Sequence, residues 1–144
     1  MRIIGLDVGE KTIGVAVSDP LCITAQGVTI IERVGIRKDA GKVIDYIKEY
    51  ECERVVIGLP LSLDGTDSVQ TEKVRDFRVM LENKLKSLGP LSKVQIEWQD
   101  ERFTTKIAEQ VLINAAVSRK DRKKVIDKQA AVIILQSYLD SNFR

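Results

Sequence analysis

Three acids in this sequence stand where an acid is unfavourable. Asp7 closes the run Ile3-Ile4-Gly5-Leu6-Asp7, whose other members are aliphatic or glycine. A central strand buried on both faces gives an ionised carboxylate no partner. Asp127 precedes Ala130, Ala131 and Ile134 by three, four and seven residues, which places it on the apolar stripe of a helix. Glu101 follows the alternating run Val94, Ile96, Trp98 and stands beside Arg102. Each has an ordinary explanation. Asp7 caps the next turn through the Gly9 and Glu10 amides, Asp127 pairs with Lys123 or Lys128, and Glu101 belongs to a solvated loop.

Taken as a set, the acids point to a divalent ion. Two carboxylates roughly 4 Å apart repel by about 4 kcal/mol at an effective dielectric near 20, and a hard cation such as Mg²⁺ or Mn²⁺ removes that repulsion with oxygen ligands alone. The chain has no histidine. That excludes Ser-His and Cys-His nucleophile pairs, and with only Cys22 and Cys52, far apart, it disfavours zinc. A divalent ion also makes water acidic enough to act as a nucleophile near neutral pH, so phosphodiester hydrolysis is the expected reaction. Asp7, Glu101 and Asp127 are therefore the expected metal ligands and catalytic residues.

Phosphate-binding groups stand near them. Arg119, Lys120, Arg122, Lys123 and Lys124, offset only by Asp121, form a basic run expected immediately before the helix that carries Asp127. Lys11, Arg102, Lys123 and Lys124 are the expected substrate contacts. A net charge of +2 does not argue for nucleic acid without this clustering. The stretch from Gly58 to Thr66 either touches substrate or is a packed strand-to-helix turn.

The elements that must position these residues follow from periodicity. Arg2–Asp7 and Thr12–Ser18 read as a hairpin across Gly9, and Val28–Val34 reads as a third antiparallel strand. Val43, Ile44, Ile47 and Tyr50 recur at helical spacing, with Asp39 as cap or first-turn acid. Arg54–Leu59 is a continuous apolar run of the kind found in parallel sheets. Val74, Phe77, Leu81, Leu85 and Leu88 mark a helix that Gly89-Pro90 ends. Val94–Trp98 is a strand ending before Asp100, a helix is expected from Thr104 or Thr105 to about Ala116, and a last one from near Lys123 to near Leu139. The order implies an α/β fold with a mixed five-stranded sheet, three strands antiparallel and then two parallel, flanked by helices.

At 144 residues, one domain spanning 1–144 is expected. No run of about 18 apolar residues is present to cross a membrane, and no apolar leader follows Met1, so a cytoplasmic protein with reduced thiols is expected.

Four blocks then carry a resemblance: Gly5-Leu6-Asp7-Val8-Gly9 with Thr12 to Asp19, Gly58-Leu59-Pro60-Leu61 with Asp64-Gly65-Thr66, Asp100-Glu101-Arg102-Phe103-Thr104-Thr105, and Ile126-Asp127-Lys128-Gln129-Ala130-Ala131. The chain resembles the YqgF family of ribonuclease-H-like proteins, described as candidate pre-16S rRNA nucleases and as Holliday-junction-resolvase-like. The family's acids fall on Asp7, Glu101 and Asp127. The resemblance implies a nuclease that trims the 5′ end of pre-16S rRNA in ribosome biogenesis, acting as monomer or dimer. Its rivals are a junction resolvase acting on structured DNA, a non-catalytic ribosome-assembly binder, and an ATPase of the actin and sugar-kinase kind. The last needs two lobes, which 144 residues do not supply.

Overall fold

The computed structural model describes residues 1–60, 69–100 and 119–143, apart from the side chains of 69 and 119–128. Five strands and three helices appear in it: β1 (Arg2–Val8), β2 (Thr12–Ser18), β3 (Ala25–Glu32), α1 (Ile36–Glu49), β4 (Cys52–Leu59), α2 (Val69–Lys86), β5 (Gln95–Asp100) and α3 (Arg119–Asn142), with a 3₁₀ turn over Gly89–Lys93. The strands form one sheet in the order β3-β2-β1-β4-β5. β1, β2 and β3 pair antiparallel, and β4 and β5 join β1 in parallel. This is the mixed sheet the sequence implies.

The sheet separates two cores. Ile4, Leu6, Val8, Val55 and Ile57 meet Val43, Ile47, Phe77 and Leu81 on the face covered by α1 and α2. Ile3, Ala16 and Val56 meet Ala131, Ile134, Leu135 and Leu139 of α3 on the other. Near-continuous apolar strands are what a sheet covered on both faces requires, and each fully buried side chain contributes about 1.5–3 kcal/mol.

β1 runs one residue further, to Val8, and β4 starts two earlier, at Cys52; four other elements differ from the expectation for a local reason. β3 begins at Ala25 and ends at Glu32: the β2–β3 register shifts between Val15, paired with Thr29, and Ala16, paired with Gly27, so Val28 is the extra residue of a bulge and pairing resumes on its far side. The long link before it is folded by Asp19, whose carboxylate accepts the amides of Ile23 at 2.7 Å, Thr24 at 2.8 Å and Leu21 at 3.2 Å; the Thr24 amide is the largest of the influences holding this exposed acid below the usual carboxylate range. β5 runs on through Asp100, paired with Leu59. α2 ends at Lys86, so Leu88 joins the connection, and Gly89 takes the left-handed φ of 50° that a side chain would resist. α3 begins at Arg119. The basic run therefore belongs to the first turns of the helix instead of preceding it, as helix-favouring Arg and Lys with no Gly or Pro between 119 and 142 allow.

The expected helix from Thr104 or Thr105 to Ala116 lies outside the described residues, as do Glu101, Arg102 and the loop 61–66.

Candidate active site at the carboxyl ends of the parallel strands

Asp7 is half-buried at the last turn-ward step of β1, the central strand. Side chains alternate across a sheet, so Asp7 shares the α3 face with Ile3 and Gly5. Its antiparallel partner is Gly14. On the other flank the parallel register reaches Leu6–Ile57, and one step beyond comes Gly58, itself paired with Gln99. The row across the sheet thus reads Gly14, Asp7, Gly58, Gln99. Asp7 has a glycine on each side of it in the row, on the face where a helix arrives.

The helix arrives in a defined direction. Gly5 touches α3 so closely that a Cβ there would lie 2.7 Å from Leu135 Cβ and 3.4 Å from the Ala131 carbonyl oxygen. Farther down the strand, Gln136 accepts the Ala25 amide at 2.9 Å and donates to the Ile23 carbonyl at 2.9 Å. This lies at the opposite end, where the Ile3 amide donates to Ser18 Oγ at 2.8 Å. α3 therefore runs antiparallel to β1. From Gly5 to Asp7 is about 6.7 Å along a strand, and four residues of helix from position 131 to position 127 span about 6.0 Å. The backbone brings position 127 to the level of Asp7, and the eight residues from 127 back to 119 carry the basic run about 12 Å farther.

The turn after Asp7 is closely held. The Gly9 amide donates to the Thr12 carbonyl at 2.8 Å, so backbone closes the hairpin at one of the two amides that the ordinary explanation of Asp7 would use. Gln70 Nε2 donates to the Val8 carbonyl at 3.1 Å, and Arg33 Nη1 to the Gly9 carbonyl at 2.9 Å. Lys11 is exposed in this turn, beside the Asp7 end of β1. Arg33 also donates Nε to Asp39 at 3.0 Å, and the other Asp39 oxygen accepts the Val34 amide at 3.0 Å. Burial drives the Asp39 carboxyl upward, but the Val34 amide and the Arg33 guanidinium outweigh it and hold it below the ordinary carboxylate value. Asp39 does sit in the first turn of α1, where it both accepts a backbone amide ahead of the helix and binds Arg33.

Of the expected ligands, Asp7 alone has a described side chain. Asp127 is placed by its backbone in α3, and Glu101 lies outside the described residues, directly after Asp100 at the end of β5. Among the described residues no three carboxylates or thiols meet to hold a metal. The donor set still fits a hard cation, since the chain lacks histidine and both cysteines are free and buried. Burial pushes the Cys52 thiol up to about 12, the nearby Arg2 lowering it only in part. Cys52 lines a cavity of about 680 Å³ with Ile47, Arg54 and Leu91, at the end of the sheet away from Asp7. Residue pattern missed the roles of Gly14, Gln70 and the Arg33–Asp39 pair, and named Gly58 only as the start of a candidate loop. Glycines inside apolar strands were the available signal.

A family model described as RuvX: Holliday junction resolvase matches residues 1–141. The chain belongs to the RuvX family. The resemblance read from the four sequence blocks is thereby borne out. A RuvX relative from Desulforamulus reducens, named "Putative pre-16S rRNA nuclease", is 50% identical over 141 residues, 98% of each chain. Two solved structures share the fold. They are T. thermophilus RuvC in complex with Holliday junction substrate, with a TM-score of 0.57 and 12% identity over 99% of this chain and 96% of that one, and the Fowlpox virus resolvase with junction DNA, with a TM-score of 0.59 and 15% identity over 100% of both. The ribonuclease-H-like architecture of this RuvX chain is that of resolvases.

Proposed function

We propose that this RuvX chain is a single-domain, metal-dependent nuclease that hydrolyses phosphodiester bonds, with the 5′ end of pre-16S rRNA as its substrate. The observation that supports this reading is the row Gly14, Asp7, Gly58: a half-buried acid with a glycine on each flank, on the face covered by the helix in which position 127 lies. Asp7, Glu101 and Asp127 would hold Mg²⁺ or Mn²⁺, which when bound neutralises the three acids and supplies a water acidic enough to attack phosphorus.

The chain's own residues do the rest. The glycine flanks put no side chain of their own in the way of a nucleic-acid backbone. Lys11 donates to phosphate oxygens from the turn, and Arg102, Lys123 and Lys124 extend that contact, the last two from the first turns of α3. No described helix is long and apolar enough to cross a membrane, and two free buried thiols fit a reducing, cytoplasmic setting.

A second reading, cleavage of branched DNA, is favoured by the family's own description. The test is cleavage of a precursor 16S rRNA end and of a four-way DNA junction at matched salt and Mg²⁺ or Mn²⁺. The first reading expects metal-dependent cleavage of the RNA at least about tenfold faster than of the junction. The reverse order establishes the second, and no cleavage of either defeats both.

A further inference from the structure

The turn between Asp7 and Lys11 is held from outside by Arg33, Gln70 and Lys73, the last through Glu10 at 3.6 Å, and Arg33 is the one that links it to a buried acid. Arg33 follows β3, and its own amide donates to the Lys11 carbonyl at 2.9 Å. Its guanidinium reaches Gly9 and Asp39 at once, through Nη1 and Nε, and lies over the Phe77 ring, 5.6 Å from its centre. The Arg33 side chain is 16% exposed and that of Asp39 is 0% exposed. With Gln70 on the Val8 carbonyl, three carbonyls of the four-residue segment after Asp7 are held by Arg33 or by α2.

An ion pair this buried is a poor way to add stability, because apolar residues of the same volume usually do as well or better. What it supplies is a planar fork whose two arms join a turn to a helix at fixed spacing. We propose that Arg33, anchored by Asp39, is a positioning residue for the Asp7 site. It fixes the turn that follows Asp7, and so sets the placement of the Asp7 carboxylate for the divalent ion, while touching neither ion nor nucleic acid. This inference rests on the nuclease reading above.

Arg33→Lys tests it. The lysine keeps a charge beside Asp39, so no buried acid is left unpaired, but one ammonium cannot bridge Asp39 and the Gly9 carbonyl as the fork does. A double variant, Arg33→Met with Asp39→Leu, removes both charges and serves as the independent check. Binding of Mn²⁺ alone is followed by loss of the free-ion paramagnetic resonance signal, and cleavage is measured well below the melting temperature of each protein. Residues supporting metal ligands at one remove typically contribute 10–100-fold in affinity or activity. The expected result is Mn²⁺ affinity about tenfold weaker in both variants, with cleavage reduced in step and the KM for nucleic acid within about twofold. Wild-type Mn²⁺ affinity in folded Arg33→Lys and in the double variant overturns the positioning role and leaves the nuclease reading standing. A wild-type protein that neither binds Mn²⁺ nor cleaves nucleic acid overturns the reading beneath it.

Discussion

Gly5→Ala probes the contact on which the placement of α3 depends. The added Cβ would lie 2.7 Å from Leu135 Cβ and 3.4 Å from both Leu135 Cγ and the Ala131 carbonyl oxygen. Carbon atoms in good contact stand about 3.5–4.0 Å apart, so α3 and β1 must separate locally by about 1 Å. A Cβ cannot swing aside, because it moves only with its backbone. Overpacking of this kind costs about 1–3 kcal/mol, and the reduced freedom of the unfolded chain offsets about 0.4–1 kcal/mol of it. The net loss is about 1–2 kcal/mol, which lowers the melting temperature of a chain this size by roughly 3–7 °C. The same shift moves position 127 relative to Asp7, and misplacement by about 1 Å can cost 100-fold in rate. Thermal unfolding by circular dichroism, paired with metal-dependent cleavage at 20 °C or so below the transition, measures both consequences. An unchanged melting temperature refutes the contact. A lowered one with wild-type cleavage refutes the argument that α3 carries part of the site.

The turn after Asp7 should be equally intolerant. In Gly9→Ala the new Cβ meets the Thr12 carbonyl oxygen at 2.9 Å, so the hairpin must open; we expect about 1 kcal/mol lost in urea unfolding and cleavage reduced by at least about tenfold. Asp39 has a depressed carboxyl pKa in the folded chain, so its stabilisation is complete above the ordinary carboxylate value near ~3.9 and is lost as pH falls through the folded value. The stability gap between wild type and Asp39→Asn, about 2–3 kcal/mol for a largely buried pair with a partly exposed arginine, should be flat at neutral pH and narrow below about pH 4, as urea titrations across pH will show. Cys52, with its thiol pushed up to about 12, should resist a disulfide reagent at pH 8 in the folded chain and react on unfolding.

The sheet was legible because its strands declare themselves. β1, β2 and β4 are apolar runs bounded by a turn, and the change of period before α1 marks a crossover. β3 differs in its bounds because a bulge has no signature in the alternation of residues: Val28 is left over between the Val15–Thr29 and Ala16–Gly27 pairs, and the strand continues back to Ala25 on the far side of it. The first turns of α3 were missed because a charge run has no apolar period to follow. Asp7 could be picked out from its neighbours alone. Its glycine flanks could not, since Gly14 and Gly58 become its neighbours only once three strands are in register. The Arg33–Asp39 pair was illegible for a related reason: an Asp near a helix start reads as a cap, and only burial of the acid with its arginine against Gly9 reveals the link to the site.

The central claim is that Asp7, Glu101 and Asp127 share an ion, and anomalous scattering from crystals soaked in Mn²⁺ tests it most directly. The account predicts a peak at the carboxyl end of β1 with one oxygen from each of the three acids at roughly 2.1 Å, absent in Asp7→Asn. No peak there, or an Asp127 carboxylate turned away and neutralised by Lys123 or Lys128, contradicts it.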